Sequence, residues 1–203
     1  DLHWREGRSC DGRASDGVRM YPFFRMVKEM AVNRRAPRLA LTEWHVSRHI
    51  CWPWDLDFWF ELNNGRTLTL FDLGRVPMAL RTGLIAPLKR RGWAIAVAGS
   101  SVRYRLRVRA FDRLTMYSRC VGWDARFFYM EQSLWRGGDC TSHVLVRNAV
   151  TSATGMVPTA LVLAEMGQDA ASPDLPDWVA AWVAAEGARP WPPVVADGKP
   201  PKV

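Results

Sequence analysis

The chain has 203 residues, 48% hydrophobic and 24% charged, with a net charge of +8; this supplies one full core plus a modest extension and excludes a string of domains. No apolar run approaches the roughly 20 residues that cross a bilayer, and the N-terminus lacks the basic, apolar, small-residue order of a secretory signal, so no membrane span is expected and a cytoplasmic location is. Cys10, Cys51, Cys120 and Cys140 form no CxxC pair, which argues against a zinc site or disulfide framework and reads as free, mostly buried thiols.

Residues 1–19 lack a hydrophobic period and are rich in Gly, Ser, Asp and Arg, as in a disordered leader, with Met20 a candidate start. The segment 20–167 carries 21 basic and 11 acidic residues, a net of +10. The excess therefore belongs to the folded core and suggests an anionic ligand or surface.

The run 21–37 reads as a short helix lying on the domain and ending before Pro37. The stretch RLALTEWHVSRHICWPWD, with Leu39, Leu41, Trp44 and Val46 among polar neighbours, reads as a strand closed by Pro53 and the aspartates. Asn63 or Asn64 then offers a helix N-cap, followed by a near-helical apolar stripe at Leu68, Phe71, Val76, Ala79, Leu80 and Leu84 that a sheet can cover. Gly74 and Pro77 should bend that helix. After the basic break at 89–92 the period changes, and four successive strands are expected. Turns are expected at Gly122–Asp124 and Gly137–Gly138. A short helix at 157–167 follows. Residues 168–203 are expected to hold one Trp-bearing amphipathic helix and a flexible Pro-rich tail.

One strand, a long helix with acidic residues and an Asn pair at its mouth, then an antiparallel meander is an α+β plan, that of the hotdog fold, in which a sheet wraps a central helix. The stretch DLDFWFELNNGRTLTLFDLGR resembles the motif of hotdog acyl-CoA thioesterases, an Asp followed by Gly-His-Val-Asn-Asn. Residues 97–132 look like the matching strands of the small proteins grouped as thioesterase superfamily member six. The resemblance covers about residues 40–150. It implies Asp57 as the base or nucleophile of 4-hydroxybenzoyl-CoA-type thioesterases, and Asn63 and Asn64 as the paired asparagines, with Asn64 among the catalytic residues. Phe60 and Glu61 stand where the commoner motif has Gly and His. Either Asp57 or Glu61 is then the working carboxylate.

Thioester cleavage needs an attacking oxygen and stabilisation of the developing oxyanion. The N–H groups near Gly65 and Arg66, at the start of the helix, are donors with partial positive charge, and a carboxylate opposite can act as base or nucleophile. The other reading of Asp55, Asp57 and Glu61 is as caps and dipole partners of the helix; Asp55 is assigned to structure. The tract RYRLRVR puts Arg103, Arg105, Arg107 and Arg109 on one face of a strand, either as a cradle for coenzyme A phosphates or as the wet face of an outer strand. Lys89, Arg90 and Arg91 either meet phosphate or complement a helix C-terminus. The four histidines show no metal-ligand spacing, and no Gly-rich nucleotide loop is present. The expected function is acyl-CoA hydrolysis without metal or redox cofactor. The family resemblance adds a homodimer or dimer of dimers with its pocket between protomers. A non-catalytic acyl-CoA-binding protein is the alternative, and nucleic-acid binding ranks last because no RNA-module motif accompanies the arginines.

Overall fold

The computed structural model describes residues 21–193 and separates them into two compact units, one ending at Pro173 and the other starting at Asp174. The expected leader 1–19 and residues 194–203 of the expected tail lie outside the described residues. The first unit runs α1 (Phe23–Asn33), β1 (His45–Ile50), a 3-10 turn (Pro53–Asp55), α2 (Asn64–Arg81), α3 (Ile85–Arg91), β2 (Ala94–Tyr104), β3 (Arg113–Trp123), β4 (Phe128–Arg136), β5 (Asp139–Ser152), β6 (Gly155–Val157) and α4 (Thr159–Met166). The second unit contains α5 (Asp177–Ala188). All strand pairs are antiparallel, in the order β1-β3-β4-β5-β2 with β6 on β5. The long helix α2 lies against β3 and β1, and α1 packs on α2. This is the hotdog arrangement.

Asn63 starts α2 by accepting from the Arg66 amide at 3.0 Å, which satisfies one of the open donors of the first turn. Leu70, Phe71 and Leu73 then bury against Leu114, Met116, Leu134, Val144 and Val146 from the inner face of the sheet. At Gly74 the helix backbone comes so close to β3 that a Cβ there would lie 2.5 Å from Met116 Sδ and 2.6 Å from Ser118 Oγ. Buried Gln132 ties the two layers at this point, donating to Phe71 O at 2.8 Å and to Ser118 Oγ at 2.9 Å. Such a polar side chain is tolerated in a core because its hydrogen bonds are made. A second apolar cluster, including Leu41, Met78, Leu88, Met130, Val162 and Leu163, fills the space under α3 and α4.

Of the stripe expected on α2 only Phe71 and Ala79 are buried and Leu68 is 37% exposed, because the helix turns Leu70, Leu73 and Met78 inward instead. Three further features differ from the sequence expectations. In β1 the inward positions are His45, Ser47 and His49, while Trp44 and Val46 are 42% and 46% exposed. Each of these polar residues has a partner: Arg81 Nη1 lies 3.0 Å from His45 Nδ1, and Ser47 Oγ lies 2.8 Å from His49 Nε2, while buried His45 Nε2 has none among the described residues. Burial, then the positive charge of Arg81, pushes His45 down to about 4. Burial, then Arg25, does the same to His49. The second difference is that β2 ends at Tyr104, so Arg105, Arg107 and Arg109 sit in a loop and do not share a strand face with Arg103. Third, Gly122 and Trp123 still belong to β3, Gly122 at a register shift, and the turn lies beyond them, closed by Asp124 N donating to Phe127 O at 3.0 Å. The turn expected at Gly137–Gly138 joins β4 to β5. Cys51 and Cys120 are buried free thiols, both pushed up to about 12 by burial, and Cys140 is free and half-buried. Among the described residues no helix is long and apolar enough to cross a membrane.

Candidate active site

The loop from β1 to α2 is built around two aspartates. Asp55, closing the 3-10 turn, is fully buried, and its carboxylate accepts from Arg25 Nη1 at 2.8 Å, Arg66 Nε at 2.7 Å and Trp52 N at 3.0 Å. Its carbonyl accepts from Asn63 N at 3.0 Å. A buried carboxylate is costly unless paired and hydrogen-bonded, and here two guanidinium groups and an amide meet it. Arg25 also donates to Ile50 O. The hub thereby joins α1, the end of β1 and the start of α2.

The chain then folds back on itself, with Leu56 bridged to Leu62 and Asp57 N donating to Glu61 O at 2.8 Å. Asp57 Oδ1 accepts from Trp59 N at 2.9 Å and Glu61 N at 3.4 Å, an Asp-stabilised turn of the usual kind. No hydrogen bond reaches Asp57 Oδ2 among the described residues. Phe60, at the position where the thioesterase motif has Gly, has φ +60; in that left-handed region an L side chain costs about 1–2 kcal/mol. Glu61 Oε1 pairs with Arg107 Nε at 3.0 Å, and the Glu61 side chain is 27% exposed.

The first turn of α2 follows at once. The Arg66 amide is taken by the Asn63 cap and its guanidinium by Asp55, so neither of these groups is open to a ligand as the sequence reading expected. The amides of Asn64 and Gly65 precede the first intrahelical bond and remain the forward-facing donors. A Cβ on Gly65 would lie 3.3 Å from Asn63 Oδ1, so the cap itself favours a small residue there. Tyr104, the last residue of β2, donates its hydroxyl to Asn64 O at 3.0 Å. It also lines an open cavity of about 690 Å³ with Arg103, Arg105, Leu106, Cys140 and His143. Thus Arg103 and Arg105 share a cavity that touches the mouth of α2. On the sheet beside it, His143 Nε2 is 3.0 Å from Glu131 Oε1. The hydrogen bond from His143, then those from Arg119, hold Glu131 below the usual carboxylate range.

Arg90 and Arg91 are not brought to this mouth within one chain. They end α3 and both pair with Glu165 on α4, just ahead of β2, whose 11 residues carry the chain about 33 Å to its Tyr104 end. Sequence reasoning also missed Arg25 and Tyr104 as contributors, and it set Arg107 in the arginine tract without its partner Glu61. A demand for cations around a buried Asp55 was legible in principle; which arginines answer it was not, because Arg25 lies 30 residues away.

A sheet curled on a long helix, with a carboxylate turn and an Asn-capped helix start at one mouth, defines a hotdog protein of the thioester-hydrolase type. The chain matches the sequence profile of the Thioesterase-like superfamily over residues 51–183 and belongs to that family. It is 31% identical over 140 residues to Protein THEM6 of Xenopus laevis, a match covering 68% of this chain and 67% of that protein. In fold it is similar to the crystal structure of a probable thioesterase from Bartonella henselae, with a TM-score of 0.52 at 21% identity over 57% of this chain and 97% of the other. It is also similar to YbaW, a probable thioesterase from Escherichia coli, with a TM-score of 0.55 at 16% identity over 60% of this chain and 97% of that one.

Proposed function

We propose that the protein is an acyl-CoA thioesterase in which Asp57 supplies the reactive carboxylate and the start of α2 polarises the thioester carbonyl. The observation that carries this reading is the unbonded Oδ2 of Asp57, held by a turn that leads directly into the open amides of Asn64 and Gly65. In the base mechanism Asp57 takes a proton from water, and the resulting hydroxide adds to the carbonyl carbon. The oxyanion is stabilised by the helix-start donors. Collapse expels the coenzyme A thiolate, which takes the proton that Asp57 removed from water, so the carboxylate is regenerated as the carboxylic acid product leaves. Glu61, already paired with Arg107, balances charge beside the turn and is the lesser candidate for the chemistry.

Arg103 and Arg105 suit the phosphates of coenzyme A, since guanidinium forks match phosphate geometry. The substrate pocket is completed between two protomers. Support comes from β2, which among the described residues pairs with β5 alone and leaves its other edge open, with Ile95 and Val97 exposed on the strand. Antiparallel pairing of β2 with a second β2 would bring Arg90 and Arg91 of the other protomer toward the Tyr104 end, where one chain alone does not place them. A dimer or a dimer of such dimers fits this edge.

Turnover of a panel of acyl-CoAs, read as free thiol, tests the proposal. Asp57→Asn should lower kcat at least about 100-fold with the fold intact, and Glu61→Gln should lower it far less. A parent that binds acyl-CoA across the panel without turnover would establish the second reading, a non-catalytic binding protein; the bulky left-handed Phe60 and the Glu61–Arg107 pair favour that alternative.

A further inference from the structure

The loop 51–62 and the loop 105–112 lie side by side at one end of the first unit. Leu62 N donates to Val108 O at 2.8 Å, and the Cys51 amide and carbonyl bond Asp112 O and Phe111 N. The two loops present Trp54, Phe58, Trp59, Phe60, Leu106 and Phe111 to the surface, with Phe58, Trp59 and Phe60 between 69% and 78% exposed. The rings form two groups on these loops: Trp52 stacks on Trp54 and meets Phe111 edge-on, and Phe58 tilts against Trp59. Helix α1 joins the same end, because Arg25 ties its first turn to Ile50 and Asp55. Its exposed residues are apolar apart from Lys28, with Phe24 92% exposed, whereas its buried ones include Glu29 and Asn33. A contiguous apolar surface of this kind marks an interaction site.

The charge of this end is net positive. Asp55 is held by Arg25 and Arg66, Glu61 by Arg107 and Asp112 by Arg136, while Asp57 closes its own turn. Exposed Arg105, Arg109 and Arg113 make no ion pair among the described residues. A two-fold contact of this patch with itself would therefore set like charges against each other. Exposed Trp and Phe interleaved with free arginines instead match the boundary of an anionic bilayer, where rings enter the headgroup layer and guanidinium groups meet phosphates. Exposed Val27 and Leu106 favour a lipid boundary over single-stranded nucleic acid, since aliphatic side chains offer no stacking platform.

We propose that this end of the protein docks peripherally on anionic phospholipid membranes, with Trp59 and its aromatic neighbours entering the headgroup layer and Arg109 and Arg113 meeting lipid phosphates. Co-sedimentation of the full chain with vesicles tests this in the absence of any acyl-CoA, so its outcome is separate from that of the thioesterase assay. Binding is expected to vesicles of phosphatidylcholine with phosphatidylserine, not to phosphatidylcholine alone, and should weaken as salt is raised. The double variant Phe58→Ser, Trp59→Ser should weaken it at least about tenfold, with melting temperature and oligomeric state unchanged. Arg109→Ala and Arg113→Ala, both at exposed positions, should each weaken it about fivefold. Absence of vesicle binding, binding indifferent to Phe58 and Trp59, dissociation of an oligomer by the double variant, or a loss confined to binding of a single-stranded RNA probe would each overturn the proposal.

Discussion

Asp55 and Asp57 stand two residues apart in the same loop and meet opposite environments. The Asp55 carboxylate is fully buried and held by Arg25, Arg66 and the Trp52 amide, whereas Asp57 keeps one oxygen in its turn and leaves the other unbonded. The contrast shows how one short motif can divide its work. The first aspartate fixes where α2 begins; the second hangs from that fixed point with a lone pair to offer. Neither position could take over the other's task, because a fully satisfied carboxylate has nothing left for a substrate and a half-free one would be a poor anchor in a core.

Removing each in turn separates the two roles most sharply. Asp55→Ala leaves Arg25 and Arg66 facing each other in a largely dry site and should cost about 3–5 kcal/mol of stability, measured by denaturant unfolding; Asp57→Ala should cost no more than about 1 kcal/mol. Equal losses would end the distinction. The buried side of the comparison is also sensitive to acid. His45 and His49 ordinarily titrate near 6.5 but are held at about 4 in the folded chain, so between those values the unfolded chain binds more protons. Their neutral packing is fully compatible with the fold above pH 6.5, and stability should fall as pH drops from there toward about 4, by on the order of 2–3 kcal/mol per histidine. Melting temperatures across that range check this, and His49→Gln should flatten the slope. The smallest expected effect lies in the Asp57 turn: Phe60→Gly relieves the left-handed backbone and should stabilise by about 1 kcal/mol, without disturbing the Asp55 hub.

Much of the architecture is legible in the sequence because it follows from period and local chemistry. The Asn63 cap, the Gly137–Gly138 turn and the strand meander all announce themselves within a few residues. Two things do not. The facing of β1 escapes a reading by alternation, which gives the period but not the sign; His45, Ser47 and His49 turn inward, where each has a partner. The arginine tract looks like one strand, since a period of two does not say where pairing stops; β2 ends when β5 and its turn end beside it. At the site, Asp57, Asn63, Asn64 and Gly65 can be marked from the motif. The partners that set their positions, Arg25 from α1 and Tyr104 from β2, come from distant segments that only the fold brings near.

The Arg25 contact also bears on where this protein can be cut. The stretch shared with its family begins at residue 51, yet one of the two cations neutralising Asp55 is donated by a helix that precedes it. An excised fragment starting at the family boundary would leave the buried Asp55 carboxylate with Arg66 as its one cation where the longer chain gives it two. The unit inherited with the motif is therefore smaller than the unit that must be expressed for the motif to stand upright.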